Sequence, residues 1–289
     1  MTGPGGHLCA VVLAAGPGTR LRPLTDLRPK ALCPVGNVPL LEMALERTAT
    51  LGLRGPDAVA VNAWWLGGQI AAYVAGRAHL SLEPDGPLGT SGGVARLRDW
   101  IGGRAVLVVN ADAYLAGAPV GGLLDGWDGG SVRLLGVPGA PDEPGTFSGY
   151  RFAGLSVLPW RWVRDLAPRP SELVHTVWRP AEAAGALRVV EFAGYFRDAG
   201  TPAGYLAANL HAAGGRNLIG PGAVVTGRCR QAVVGAGATV RGSVTRAVVW
   251  PGAHVAKGER LVDAVRAARD VTTPAPTPHS RRSRSNSHD

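Results

Sequence analysis

Leu8 to Ala14 is an unbroken apolar run that empties into a glycine-bearing loop, Gly16-Pro-Gly-Thr-Arg20. Seven apolar residues bounded by turn formers are the pattern of a strand buried on both faces, so the chain must supply helices to cover it. In α/β proteins ligands sit where loops leave the ends of such strands. Gly16 and Gly18 let the backbone approach a ligand closely and aim N–H groups at an anion. Arg20, Arg22, Arg28 and Lys30 follow within twelve residues. Lys30 stands apart, because the chain has 28 Arg and only two Lys, the other being Lys257. A compact, mobile ammonium does at this point what a planar guanidinium would not. The segment reads as a site for a nucleoside triphosphate. A Rossmann fingerprint needs a third glycine where Leu21 stands, and a Walker loop needs Gly-Lys-Ser/Thr at its end, so neither fits.

Strand-like and helix-like runs alternate from Leu8 to about Ala213, which predicts a Rossmann-like, mostly parallel sheet flanked by helices. The strand candidates are Leu8 to Ala14, Ala58 to Asn62, Leu80 to Glu83, Ala105 to Val109, Ser131 to Val137 and Arg151 to Leu158. Helical spacing links Leu40, Leu41, Ala44, Leu45, Thr48 and Leu51, then Ile70, Tyr73 and Val74, then Val94, Leu97 and Ile101. Past a hinge at Gly214 and Gly215 the pattern changes. Ile219-Gly-Pro-Gly-Ala-Val-Val, Val234-Gly-Ala-Gly-Ala-Thr-Val and Val249-Trp-Pro-Gly-Ala-His-Val recur at an offset of fifteen residues. Short β-branched runs with glycine corners at a fixed period predict stacked coils, a small β-helix-like solenoid. The expected organisation is a flexible N-terminus at 1–7, a main domain at 8–215, the repeat extension at 216–262, and a short helix with a disordered basic tail at 263–289. The disorder is expected from Thr272 onward, where Pro and Ser dominate.

The 289 residues suffice for one sizeable α/β domain and a smaller second one. The net charge of +9 invites a nucleic-acid reading. However, the cations are spread along the chain without aromatic interleaving, so an anionic small molecule explains the local cluster and no nucleic-acid partner is expected. Cys9, Cys33 and Cys229 are too scattered for a disulfide framework or zinc site and suit a reducing compartment. No stretch reaches membrane-spanning length, and Met1 to His7 lacks the regions of a signal peptide. A cytoplasmic protein with no membrane partner is expected.

As a whole, GPGTRLRPLT followed by RPKALCPVGNVPLL resembles the signature of the sugar-1-phosphate nucleotidyltransferases, or nucleotide-sugar pyrophosphorylases. Further motifs follow in the family's order: Leu88-Gly-Thr-Ser-Gly-Gly93, Val108-Val-Asn-Ala-Asp112, and Tyr195-Phe-Arg-Asp-Ala-Gly-Thr-Pro202. The resemblance covers roughly residues 8 to 262. It implies an enzyme that joins an NTP to a sugar 1-phosphate, giving an NDP-sugar and pyrophosphate by direct attack on the α-phosphorus. The solenoid resembles the left-handed β-helix appended to many members; three coils are either purely structural or a contact between copies of the chain.

The resemblance also implies roles for single residues. Leu13, Ala14, Ala15, Gly16, Gly18 and Thr19 would cradle the nucleotide while Arg20 stabilises departing pyrophosphate. Lys30 would contact the α-phosphate or the sugar phosphate. Gly89 and Thr90 would face the nucleobase, Asn110 and Gly154 the sugar, and Asp112 and Asp198 would hold Mg2+. Arg22 and Arg28 are either ligands or solvated charges, and Glu83 either approaches the sugar or base or is a surface residue. One departure is plain. Many members carry a Glu-Lys-Pro segment before the strand of Gly154, and here no lysine lies between Lys30 and Lys257, leaving Lys30 and an arginine such as Arg151 to bind the sugar phosphate. Leu88 to Gly93 and the extension lean towards GTP and mannose 1-phosphate. Uridylyl or another NDP-sugar transfer is the alternative; Val61-Asn-Ala-Trp-Trp-Leu-Gly-Gly-Gln-Ile is similar to a segment of both uridylyl- and guanylyltransferases and does not fix the subgroup. A regulatory nucleotide-sugar-binding paralogue is the non-enzyme alternative.

Overall fold

The computed structural model describes residues 8–140, 145–268 and 271–276. Its contacts divide the chain into two compact units, Met1–Pro17 with Leu41–Phe196, and Gly18–Leu40 with Arg197–Asp289. The division does not follow chain order. The cation-bearing segment 18–40 belongs with the C-terminal repeats, whereas the sequence reading placed it in a main domain ending at residue 215. The expected flexible stretch 1–7 lies outside the described residues.

The first unit is built on seven strands: β1 (Leu8–Leu13), β2 (Val59–Ala63), β3 (His79–Leu82), β4 (Ala105–Asn110), β5 (Val132–Pro138), β6 (Tyr150–Leu158) and β7 (Leu187–Glu191). Their order across the sheet is β7-β5-β6-β4-β1-β2-β3. β1 pairs in parallel with β2 and β4, β2 with β3, and β7 with β5, while β6 runs antiparallel to both neighbours. The six expected strands lie within two residues of their predicted ends, and β7 is additional. Central β1 has Cys9 to Val12 at zero exposure, as its unbroken apolar run requires. Helix α1 (Leu40–Thr50) buries Leu41, Ala44, Leu45 and Thr48, α2 (Gly67–Val74) buries Ile70 and Val74, and α3 (Gly89–Arg96) buries Val94. Val94, Leu97 and Ile101 pack with Val11, Val106 and Val108 in one core cluster. No helix among the described residues is long and apolar enough to cross a membrane.

The second unit contains the solenoid. Leu218, Val233 and Val248 stand in one parallel ladder, and Val224, Thr239 and His254 in a second, each stepping fifteen residues. A third runs from Arg228 to Ser243 and then Arg260, its last step longer by two. Coils this close leave no space at certain corners. A Cβ on Gly227 would lie 1.9 Å from the Gly242 carbonyl oxygen, and one on Gly235 2.3 Å from the Pro251 nitrogen. Helix α4 (Pro202–Ala213) precedes the coils, and Gly214, at φ 56°, is its left-handed C-cap.

Two expectations fail after the third coil. The short helix expected from 263 is a strand, Ala264–Ala268, and part of the expected disordered tail is a second strand, Val271–Pro274, paired to it antiparallel. Alanine and arginine favour a helix locally, but Val265 and Arg266 meet the open edge of Val248 and Val249, whose ladder hydrogen bonds decide the matter. Residues 277–289 lie outside the described residues. Arg266, 7% exposed, closes this end: it donates to Thr272 Oγ1 (2.6 Å), the His254 carbonyl (2.7 Å) and the Glu259 carboxylate.

Burial pushes the Cys9 thiol up to about 11 and that of Cys33 up to about 12, so both stay protonated and inert at neutral pH. Burial would also raise the Glu259 carboxyl, but the Ala256 N–H and Arg266 outweigh it and hold it below its ordinary value. A carboxyl whose pKa falls on folding stabilises the fold above the unfolded pKa, and this is lost as pH falls through the folded value. Arg266→Ala is expected to cost about 2 kcal/mol, roughly 5 °C in melting temperature, at pH 7. The deficit should shrink as pH falls through the lowered folded pKa of Glu259, once the carboxyl is protonated in both proteins. Thermal melts across pH check both expectations.

Candidate active site

Parallel register sets Asn62, Leu13 and Asn110 side by side at the carboxyl ends of β2, β1 and β4. Beyond them opens a cleft of about 550 Å³ in the first unit. Leu13, Ala15, Gly16, Pro17, Asn62, Asn110 and Asp112 line it, together with Pro87, Gly89 and Thr90 and with Pro170, Ser171 and Glu172. This is the strand-end position at which open α/β sheets take ligands.

A buried polar chain fixes the rim. Asn62 Oδ1 accepts from the Ala14 N–H (2.7 Å) and Asn62 Nδ2 donates to Glu83 Oε1 (2.7 Å). Glu83 Oε2 accepts from the Leu88 N–H (2.8 Å). Asn62 and Glu83 are each 2% exposed, so every donor and acceptor here must be matched within the protein. Two expectations are corrected. Glu83 does not lie on the surface; it braces the loop before α3. The Ala14 amide, expected in the phosphate cradle, is already committed to Asn62.

The glycines of Leu88 to Gly93 answer to the protein's own packing. A Cβ on Gly89 would sit 2.5 Å from the Ser171 carbonyl oxygen, on Gly92 2.3 Å from that of Arg169, and on Gly93 2.6 Å from Asn62 Nδ2. Thr90 donates to Glu172 Oε2 through its N–H (3.2 Å) and its hydroxyl (2.6 Å), and the hydroxyl accepts from the Leu173 N–H (2.8 Å). A carboxylate thus sits at the start of α3, where the helix dipole favours it. Glu172 was missed in the sequence, which gives no local signal for it; Asn62 could have been found as a polar residue ending an apolar strand.

Asn110 and Asp112 line the cleft, and Arg47 supports the stretch after them by donating to the Ala113 (3.1 Å) and Leu115 (3.3 Å) carbonyls. Gly154 does not line it. Its φ is 85°, and a Cβ there would come within 2.3 Å of Ala113 Cβ, so glycine is required by backbone and packing.

In the second unit, Lys30 Nζ lies 3.3 Å from Asp198 Oδ1, and Arg20 Nη2 lies 3.3 Å from Asp198 Oδ2. The Lys30 side chain is 11% exposed and that of Arg20 67%, so the lysine is the half-hidden member. A Cβ on Gly200 would approach Lys30 Nζ to 2.7 Å, Asp198 Oδ1 to 2.8 Å and Arg20 Nη2 to 3.0 Å. The Asp-Ala-Gly-Thr-Pro sequence therefore reads position by position. Asp198 supplies the carboxylate, Gly200 leaves room for the charges, Thr201 accepts from the Gly204 N–H (3.1 Å) as N-cap, and Pro202 starts α4. Gly18, at φ 61°, accepts through its carbonyl from Thr25 Oγ1 (2.9 Å), and Thr19 begins a short 3-10 turn. Arg22 pairs with Asp26 (3.1 Å), and Arg28 covers the Trp250 ring.

Residues 10–144 match the profile of the MobA-like NTP transferase domain. Over 110 residues, 36% of this chain and 46% of the relative, the chain is 42% identical to the N-acetylmuramate alpha-1-phosphate uridylyltransferase of Neisseria meningitidis. Over 121 residues, 40% of this chain and 33% of the relative, it is 35% identical to the mannose-1-phosphate guanylyltransferase of Mycobacterium tuberculosis. The chain spans less than half the length of these two curated relatives. A solved structure from Bacillus anthracis, assigned provisionally as a glucose-1-phosphate thymidylyltransferase, superposes over 71% of this chain and 95% of its own, with a TM-score of 0.62 at 18% identity. That likeness establishes the fold. Over these stretches the chain is similar to sugar-1-phosphate nucleotidyltransferases.

Glu83→Gln tests the brace. Glutamine retains one acceptor where two donors converge, so the variant should lose about 2 kcal/mol in urea unfolding. An unchanged midpoint would refute the brace.

Proposed function

We propose that this chain is a sugar-1-phosphate nucleotidyltransferase. A phosphate oxygen of the sugar 1-phosphate attacks the α-phosphorus of the NTP. The bond from that phosphorus to the bridging oxygen breaks, and pyrophosphate leaves with the electron pair. The observation that carries this reading is the convergence of Lys30, Arg20 and Asp198 on the space left by Gly200, in a chain whose transferase domain ends the strands β1 and β4 in a cleft. Lys30 would follow the phosphate into its transition-state geometry, and Arg20 would stabilise the leaving pyrophosphate. The amides of Ala15 and Gly16, both lining the cleft, would hold phosphate oxygens, with Thr90 and Gly89 towards the base and Asn110 towards the sugar.

Among the described residues no group of three or more His, Cys, Asp or Glu could hold a metal ion by itself. This suits Mg2+, which usually takes one or two carboxylates and completes its shell with phosphate oxygens and water. Asp112, in the cleft wall, would hold it, and Asp198 is proposed as the second carboxylate on its motif alone. When bound, the ion would neutralise charge on the reacting phosphates.

For the base, the 42% identity to a uridylyltransferase favours UTP. GTP with mannose 1-phosphate is the second reading, favoured by the Leu88 to Gly93 loop and by the guanylyltransferase relative. A matrix of NTPs against sugar 1-phosphates, read by pyrophosphate release, tests both. Turnover is expected with one pair, abolished by chelator and restored by magnesium. Binding of an NDP-sugar without turnover in any pair would favour the regulatory paralogue.

Two variants probe the groups. Asp112→Asn should fold normally and lose most turnover. Lys30→Arg should slow turnover by at least about tenfold although charge is kept, and Lys30→Ala by about a hundredfold or more. Wild-type kinetics in Lys30→Arg would mean that charge alone is needed there.

A further inference from the structure

Lys30 lies in a segment fastened on both sides to one tryptophan of the third coil. Before it, the Arg28 guanidinium sits over the Trp250 ring, 5.0 Å from the centroid. After it, Trp250 Nε1 donates to the Tyr205 hydroxyl (3.0 Å), which donates in turn to the Pro34 carbonyl. Trp250 is 2% exposed and Tyr205 fully buried. Breaking this chain therefore leaves polar groups unmatched away from water. Asn209, one turn along α4 from Tyr205, accepts from the Gly36 N–H (3.0 Å), and Asn37 Nδ2 donates to the Val234 carbonyl (3.1 Å). Between the two fastenings there is little slack. Lys30–Leu32 is one 3-10 turn capped by Pro29 and Cys33, closed by Leu32 N–H to the Pro29 carbonyl (2.8 Å) and Cys33 N–H to the Lys30 carbonyl (3.0 Å).

We propose that Trp250, acting through Arg28 and Tyr205, is a positioning residue for Lys30, so that the repeat extension sets where the phosphate-binding ammonium stands. This rests on Lys30 being the phosphate ligand of the proposed reaction. A lysine head group has four rotatable bonds, and only a fixed backbone lets it hold one position cheaply. A displacement of about 1 Å at a reacting centre can cost up to a hundredfold in rate. The extension, expected from sequence to be structural or a contact between copies, would then act on catalysis from within its own unit.

Two lysines in the whole chain make the test direct, since lysine labelled with ¹³C at Cε gives two resonances, Lys30 and Lys257. Trp250→Ala should lower kcat by at least about tenfold with KM for the NTP within about threefold, and should shift the Lys30 resonance relative to Lys257. Trp250→Phe keeps an aromatic face under Arg28 but loses the Nε1–H donated to Tyr205, and should recover only part of the lost kcat. Should Trp250→Ala not fold, Tyr205→Phe keeps the ring and removes only the hydroxyl; it should also lower kcat and move the Lys30 signal. Folded Trp250→Ala or Tyr205→Phe with wild-type kcat and an unmoved Lys30 signal would overturn the proposal. If wild type turns over no NTP and sugar 1-phosphate pair, the functional reading falls, and the Lys30 signal alone decides the positioning.

Discussion

The side-chain amide of Asn62 is the interaction on which the first unit's cleft depends. One amide accepts from the Ala14 N–H and donates to Glu83, which takes the Leu88 N–H, so a single buried group ties the exits of β1, β2 and β3. Buried polar groups are costly unless matched, and here the matching leaves one arrangement of the loops. Gly93 follows from it, because any Cβ there would collide with the Asn62 amide. The glycines that look like a ligand loop in the sequence are first a condition for the domain's own assembly, and the cleft is what remains once that condition is met.

The second unit solves a different problem, holding two cations and a carboxylate together without letting the chain collapse on them. Lys30 and Asp198 are far apart in sequence, and the helix that follows Asp198 is started by its own Thr-Pro cap. Gly200 keeps the space, while Tyr205 and Asn209 on the same helix hold the backbone beyond Lys30. Charge, cap and anchor are thus written into twelve consecutive residues, Asp198 to Asn209. This arrangement accounts for the spared lysine better than charge does, since an arginine would have to thread a longer, planar head into a space already shared with Arg20 and Asp198.

Much of the fold was legible because its signals are physical. β1 reads as a buried strand from its unbroken apolar run, and the coils read from a period of fifteen that reappears as ladder register. Glycine, threonine and proline in the Asp198 motif carry their conformational meaning openly. Three things were hidden. The strand Ala264–Ala268 depends on the open edge of the third coil, which no local propensity reveals. The burial of Glu83 depends on a partner twenty-one residues away. The grouping of residues 18–40 with the repeats depends on Tyr205 and Trp250, which sequence shows only as two aromatics among many.

The proposed reaction is direct nucleotidyl transfer to a sugar phosphate, with the NTP bound but intact until the acceptor arrives. Isotope exchange tests it without reference to any single residue. Labelled pyrophosphate should enter the NTP pool when the cognate sugar 1-phosphate, or its NDP-sugar, is present, and should not enter when the protein holds NTP alone. Exchange with NTP alone would reveal a nucleotidyl-enzyme intermediate and contradict the account.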